Sequence, residues 1–175
     1  MPLQYQTVPV TPFQQNCSIV WCPVSREAAV IDPGGELDRL IAAAQALEVT
    51  LTQIWLTHAH IDHAGGTGEL ARRVALPIVG PHPGDQFWIA GLPQQSAKFG
   101  LPPAEPFTPT RWLHDGDTVT LGQETLTVRH CPGHTPGHVI FHSASAQRAF
   151  VGDVLFAGSI GRTDFLGGNH DQLIA

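Results

Sequence analysis

Four side chains able to bind a metal ion lie within six residues of the sequence. They are His58, His60, Asp62 and His63, in the segment 57–66. Because alternate residues of an extended segment share a face, His58 and His60 are expected to point the same way. Four such groups buried together without a cation would repel each other or lose their hydration. The pattern therefore predicts a metal site.

Two later segments carry residues of the same kinds. Segment 132–138 contains His134 and His138 among glycines and prolines, and Asp153 follows an apolar run. Each of these segments follows a predicted strand and is flanked by glycine. Because loops at strand ends present functional residues on a rigid scaffold, all three segments are candidates for one site.

The elements that must position these segments alternate between strands and helices. Helices are predicted at 36–48 and 66–75, with a short one near 85–90, and the proline-rich segment 81–110 is interpreted as a long surface excursion. The β-α-β beginning and antiparallel-looking end predict two sheets with helices outside, a layered α/β sandwich. The predicted strands are 17–21, 28–31, 53–56, 77–80, 118–121, 124–130, 138–141 and 148–152.

Composition excludes several classes of protein. The net charge is −6, and the nine Lys and Arg residues form no basic cluster, so a nucleic-acid surface is not expected. No apolar run is long enough to span a membrane, and residues 1–10 do not resemble a signal peptide. Three cysteines without a C-x-x-C motif argue against a disulfide framework, which favours the cytoplasm. The oligomeric state is left open.

The motifs together resemble those of the metallo-β-lactamase fold superfamily, whose fold is a four-layer αββα sandwich. The resemblance rests on the H-x-H-x-D-H run at 58–63, the P-G-H-T-P-G-H run at 132–138 and Gly152-Asp153. Segment 152–165 resembles more closely the glyoxalase II-like hydrolases. Residues 1–175 are thus interpreted as a single domain of this type. Its last residues, 170–175, read as a helix that has only begun, so we expect the C-terminal part of the domain to be missing.

The resemblance implies a role for each matching residue. His58, His60 and His134 resemble ligands of a first metal, Asp62 and His63 resemble ligands of a second, and Asp153 resembles the carboxylate that bridges them. Asp62 and Asp153 are the implied catalytic residues. His138 and Asp32 match residues that lie behind the ligands, Asp32 as an acceptor for a metal-binding histidine. Arg162 matches a basic residue near the substrate, although a surface ion pair with Asp164 is an equal alternative.

One ligand of the family pattern has no counterpart. The family takes a further histidine for the second metal well after the bridging aspartate, and here only His170 follows Asp153, in a different context. The second site is therefore expected to be incomplete and weakly occupied. The remaining histidines are interpreted as surface or hydrogen-bonded core residues. They are His82, His114, His130, His142 and His170.

The function implied is hydrolysis of a thioester such as S-D-lactoylglutathione by hydroxide bound to two divalent ions. Zinc is the first choice, and iron or manganese would suit the same nitrogen and oxygen ligands. A thiolate leaves without a strong general acid, which suits a thioester. Two alternatives stay open: a persulfide dioxygenase with a single iron, and a zinc-stabilised domain without catalysis.

Overall fold

The structure, a computed structural model, describes residues 2–175. A five-stranded sheet has the order β1-β2-β3-β4-β5, with β1, β2 and β3 antiparallel and β4 and β5 parallel to β3. Its strands are β1 Gln4–Val10, β2 Gln15–Trp21, β3 Glu27–Ile31, β4 Thr50–Trp55 and β5 Ile78–Val79. Helix α1, Leu37–Ala46, connects β3 to β4, and helices α2, Ile61–Ala64, and α3, Thr67–Val74, connect β4 to β5. The predicted β-α-β beginning is confirmed.

A second, four-stranded sheet is antiparallel throughout. A 3₁₀ turn at Pro83–Asp85 and helices α4, Gln86–Ala90, and α5, Leu92–Phe99, precede it. The sheet comprises β6 Thr118–Leu121, β7 Glu124–His130, β8 Val139–Ser143 and β9 Arg148–Phe150, in chain order. A hairpin of β10, Leu155–Phe156, and β11, Ser159–Ile160, follows, and then helix α6, His170–Ile174.

The two sheets pack face to face. Trp55 of β4 stacks on Phe141 of β8 with ring centroids 5.3 Å apart, and both side chains are fully buried. Leu126 and Val128 of β7 join this core. Alternation along β7 leaves Thr125 and Arg129 exposed on the other face of the sheet.

Helices cover the other face of the first sheet. The stripe expected on α1 is observed, because Leu37, Leu40 and Ala44 are buried and Ile41 and Leu47 pack beside them. Helix α6 begins directly after Asn169, whose backbone amide donates to the carbonyl of Gly133, in the loop between β7 and β8, at 2.8 Å. The predicted fold class, a layered α/β sandwich, is confirmed.

Four elements were not predicted: strands β1, β10 and β11 and helix α5. Strand β1 is an edge strand whose first four residues are exposed, so it lacks the apolar run that marks a buried strand. Helix α5 lies inside the segment interpreted as a loop. Its Pro93 is in the first turn, where proline leaves no helical hydrogen bond unmade, so the proline content of 81–110 was misleading. The two-residue strands β10 and β11 are too short to give a sequence signal.

Candidate metal centre

The three predicted segments meet at one end of the two sheets. Segment 57–63 follows β4, segment 132–138 connects β7 to β8, and Asp153 follows β9. Asp32, directly after β3, lies beneath them. The strands thus bring residues almost a hundred positions apart in the sequence within hydrogen-bonding distance.

Three imidazoles form the first group of converging ligand atoms. Nitrogens of His58, His60 and His134 all lie within 4.8 Å of one another, and all three side chains are buried. The His134 Nδ1 is bound to the Arg162 carbonyl at 2.7 Å, so its Nε2 is the unprotonated nitrogen, and it faces His60 Nδ1 at 2.9 Å. His58 uses Nδ1 to contact the Thr57 hydroxyl at 3.0 Å, which leaves its Nε2 buried without a protein partner.

The second group centres on His63. Its Nδ1 donates to Asp32 Oδ2 at 2.9 Å, and its Nε2 lies 3.1 Å from Asp153 Oδ1 and 3.6 Å from Asp62 Oδ2. The other Asp153 oxygen, Oδ2, is 3.4 Å from His134 Nε2. The Asp153 carboxylate therefore lies between the two groups, with one oxygen toward each.

Burial keeps most of these imidazoles neutral. Desolvation lowers the pKa of His60 to about 2 and that of His138 to about 3, and it lowers those of His58 and His134 as well. A neutral imidazole is the form that binds a metal ion. At physiological pH these rings therefore need no proton removed before they bind one.

His63 and Asp153 are an ion pair in the same surroundings. Burial opposes charge on both, but the contacts of His63 with Asp153 and Asp32 raise its pKa well above the usual value. In turn, His63 is the main cause that lowers the pKa of Asp153 to about 2, against the effect of burial. Burial raises the pKa of Asp62. A divalent cation would replace the His63 proton as the partner of these carboxylates.

The residues present fit divalent cations. The buried Nε2 atoms of His58 and His60 have no hydrogen-bond partner in the protein, although such atoms are costly to bury unpaired. The donors are nitrogen and carboxylate oxygen only, a set that suits zinc, iron or manganese.

Asp32 orients both groups. Its Oδ1 accepts from the Thr57 amide at 2.8 Å, and its Oδ2 accepts from the Thr57 hydroxyl at 2.6 Å as well as from His63. Because the Thr57 hydroxyl also contacts His58 Nδ1, one carboxylate fixes the rings of His58 and His63. The sequence had matched Asp32 to such an acceptor.

Asp85 is a positioning residue that the sequence did not reveal. Its side chain is fully buried and accepts three hydrogen bonds: from the Ala59 amide at 2.9 Å, from the Thr135 hydroxyl at 2.9 Å and from the Gly137 amide at 2.6 Å. Burial outweighs these bonds and raises its pKa to about 6. Asp85 ties the segment that carries His58 and His60 to the one that carries His134. Its sequence context, Pro-Gly-Asp, resembles an ordinary turn.

Two glycines permit the close approach of the loops. A Cβ atom at Gly34 would overlap the carbonyl of Asp62, so only glycine allows the loop after β3 to pack on the ligand segment. Gly152, at φ 49°, brings the chain against Thr57 and His138 just before Asp153.

The other residues considered for the site form contacts within the protein. His138 stacks on His58, with centroids 4.6 Å apart, and its Nε2 accepts from the Asp153 amide at 3.0 Å. Arg162 forms two contacts of 2.6 Å with Asp164 and lies over the Phe165 ring, so the alternative of a surface ion pair is observed. His170, at the start of α6, is exposed and 3.6 Å from Asp171, outside both groups.

The histidines that were interpreted as surface or hydrogen-bonded core residues lie outside both ligand groups. His130 stacks on His82 with centroids 4.0 Å apart and contacts the Pro136 carbonyl at 2.8 Å, and His82 accepts from the Gly84 amide. His114 and His142 are exposed.

A concave space of about 440 Å³ opens onto the first group, and we call it the aromatic cleft. Trp88 and Phe165 both pack against the ring of His60, with centroids 4.6 and 4.8 Å away. His60, Asp62, His134 and Asp153 form its floor. The walls include Phe13, Trp88, Lys98, Phe99, Arg162 and Phe165.

The same arrangement of motifs describes a known family. The family model for the metallo-beta-lactamase superfamily matches residues 10–175. The chain belongs to this superfamily. Hydroxyacylglutathione hydrolase GloC of Haemophilus influenzae is 42% identical over 174 residues, which cover 99% of this chain and 82% of the relative. Membership explains why separated histidine and aspartate motifs converge, and the resemblance to glyoxalase II-like hydrolases is confirmed.

Solved structures of the superfamily superpose closely on this one. The BLEG-1 B3 metallo-beta-lactamase has a TM-score of 0.88 at 33% identity, covering 98% of this chain and 82% of the other. TTHA1623 in a di-iron-bound form has a TM-score of 0.87 at 35% identity, covering 97% and 82%. These neighbours share the fold of this chain, and they differ in the activity or metal that their names record.

None of the helices within residues 2–175 has the length and apolar character needed to cross a membrane.

Proposed function

We propose that this protein is a hydroxyacylglutathione hydrolase-like enzyme that hydrolyses thioesters such as S-D-lactoylglutathione with the help of divalent metal ions. The observation that carries the proposal is the convergence of buried imidazole nitrogens on a carboxylate, Asp153, that faces both groups. The 42% identity to a hydroxyacylglutathione hydrolase supports the choice of substrate class.

Two ions would be held by unequal sets of ligands. His58, His60, His134 and Asp153 would hold the first, and Asp62, His63 and Asp153 the second. Within the described residues the first set therefore has four ligands and the second has three, so the second ion would be held more weakly. Zinc is our first choice, and the di-iron form of a 35% identical neighbour makes iron the main alternative.

The chemistry follows from the two clusters. When bound, divalent ions lower the pKa of a coordinated water and polarise the carbonyl under attack. The side chain of Asp62 is 22% exposed and lines the cleft, so this carboxylate would orient the attacking water by accepting a hydrogen bond from it. The contact between Asp153 and His63 holds the two groups of ligands in a fixed relative position.

The departing group needs little assistance. A thiol has a pKa of about 8.5, so a thiolate leaves without a strong general acid. The cysteines present no competing nucleophile in the cleft, since Cys17 and Cys22 are buried and burial raises the pKa of Cys131. Arg162, although paired with Asp164, lines the cleft and is our proposed contact for the substrate. The acyl group would lie between the aromatic walls and the ligand floor.

The test is turnover by the metal-loaded protein, with the released thiol measured by a colorimetric reagent. We expect hydrolysis of S-D-lactoylglutathione that a chelator abolishes. Asp62→Ala should lose turnover while its melting temperature stays near that of the parent. If Asp62→Ala instead unfolds and the parent shows no turnover, the ions stabilise a domain without catalysis. Oxygen uptake with glutathione persulfide and no hydrolysis would identify a dioxygenase.

A further inference from the structure

The wall of the aromatic cleft includes one cation, Lys98, that has no carboxylate partner among residues 2–175. Lys98 is the only lysine of the chain and lies in the last turn of α5. Its ammonium is 5.6 Å from the centroid of the Phe99 ring, and within residues 2–175 no carboxylate lies within 4.0 Å of it. By contrast, Arg162 on the same cleft wall binds both oxygens of Asp164.

The position of Lys98 relates it to the ligand floor. The same cleft of about 440 Å³ is lined by Lys98 and Phe99 on α5 and by His134 and Asp153 at the metal centre. A volume of this size suits a small-molecule substrate. A molecule whose reactive carbonyl lies above Asp153 would therefore extend along aromatic walls toward the ammonium.

The net negative charge of the protein makes a cation in the cleft important for binding an anionic substrate. The chain carries a net charge of −6, which produces a negative field around the protein. This field repels anions, so an anionic substrate needs a positive group at its binding site. Lys98 supplies one, and its flexible chain can follow a carboxylate without a fixed geometry.

We propose that Lys98 binds a carboxylate on the thiol portion of the substrate and thereby selects thioesters of acidic peptide thiols over uncharged ones. This inference rests on the proposed function and makes its substrate class narrower. A glutathione thioester has carboxylates at both ends of its peptide part, whereas its acyl group is small. The selection therefore acts on binding and leaves the chemical step unchanged.

The experiment compares two substrates with the same acyl group, S-D-lactoylglutathione and S-D-lactoyl-N-acetylcysteamine, whose thiol is uncharged. In Lys98→Met we expect KM for the glutathione substrate to rise about fivefold, equivalent to ~1 kcal/mol, with kcat unchanged. Kinetics on the uncharged substrate should not change. Lys98→Arg should restore KM, and high ionic strength should reduce the difference between Lys98→Met and the parent.

A matched control separates this effect from loss of a surface charge. Arg72→Met removes one positive charge from an exposed pair with Glu105, outside the cleft, and should leave both substrates unaffected. A lysine in the last turn of a helix also stabilises it modestly, but that role would change the melting temperature and not the preference between substrates.

A binding measurement keeps this inference separate from the proposed function. Calorimetry with S-hexylglutathione, which cannot be hydrolysed, should show about fivefold weaker binding to Lys98→Met even if no thioester is turned over. Equal affinity for the two proteins, or no binding to the parent, would overturn the assignment of Lys98. If Lys98→Met lost activity only toward coenzyme A thioesters, the assignment would also be overturned, because the anion that Lys98 contacts would then be a phosphate.

Discussion

Replacing Asp32 by asparagine tests how the metal ligands are held. The substitution changes little in shape, and it suits the backbone, since Asp32 has φ 56°, a left-handed conformation that asparagine adopts readily. What changes is the pattern of hydrogen bonds. Both carboxylate oxygens accept, from the Thr57 amide and hydroxyl and from His63, and asparagine can present only one oxygen.

Either orientation of the new amide is costly. If its nitrogen takes the place of Oδ2, it donates to His63 Nδ1 and forces the ring proton onto Nε2, the nitrogen that faces Asp153. If its nitrogen takes the place of Oδ1, it opposes the Thr57 amide, now a donor facing a donor at 2.8 Å. Residues that orient metal ligands typically contribute 10- to 100-fold to metal affinity, roughly 1.4–2.7 kcal/mol.

The assay is zinc titration of metal-free protein in competition with a chromophoric chelator. We expect the dissociation constant of Asp32→Asn to rise 10- to 100-fold. Because Asp32 also stabilises the protonated His63 ring, the titration is best done above pH 8, where protons compete less. Asp38→Asn, at an exposed carboxylate in the first turn of α1, is the control and should bind like the parent. Unchanged zinc affinity in Asp32→Asn would refute the orienting role.

Two further predictions concern the framework behind the ligands. Asp85→Ala leaves three donors without an acceptor, so we expect a loss of about 2–4 kcal/mol in the free energy of unfolding at pH 7, measured with urea. An unchanged urea midpoint would show that the three hydrogen bonds to Asp85 are dispensable for stability. Burial raises the Asp85 pKa to about 6 from an unfolded value of about 3.9, so between these values the folded state binds a proton that the unfolded state does not. The difference in the free energy of unfolding between the parent and Asp85→Ala should therefore be largest below pH ~4 and decline as the pH rises to ~6. Leu126→Ala, in the core between the sheets, should cost about 2–5 kcal/mol in the same urea assay, and a cost below about 1 kcal/mol would contradict the close packing described.

The sequence revealed the parts of the molecule that depend on local pattern. Strands with continuous apolar runs, such as β4 before the ligand segment, and the stripe on α1 could be predicted because burial imposes a period on the sequence. The grouping of His58, His60 and His134 followed from motif order and family resemblance. What could not be predicted depends on tertiary contact. Asp85 has no local signature, since its partners lie 26, 50 and 52 residues away.

The prediction for segment 81–110 was wrong, and the sequence left two interpretations open for Arg162. The prolines of 81–110 suggested a loop, although Pro93 lies in the first turn of α5, where it is compatible with a helix. For Arg162 the sequence allowed both a substrate contact and a pair with Asp164, and the structure shows the pair within the cleft wall. The position of the Lys98 ammonium on the cleft wall could be recognised only after the fold had placed α5 beside the metal centre.

The most direct test of the convergence of distant ligands is the metal content of the protein after loading and gel filtration. We expect the parent to retain at least one equivalent of a divalent transition metal. His134→Ala, altered 74 residues away from His60, should lose most of it. A parent that retains no metal, or a His134→Ala variant that retains as much as the parent, would contradict the claim that these separated segments form one metal centre.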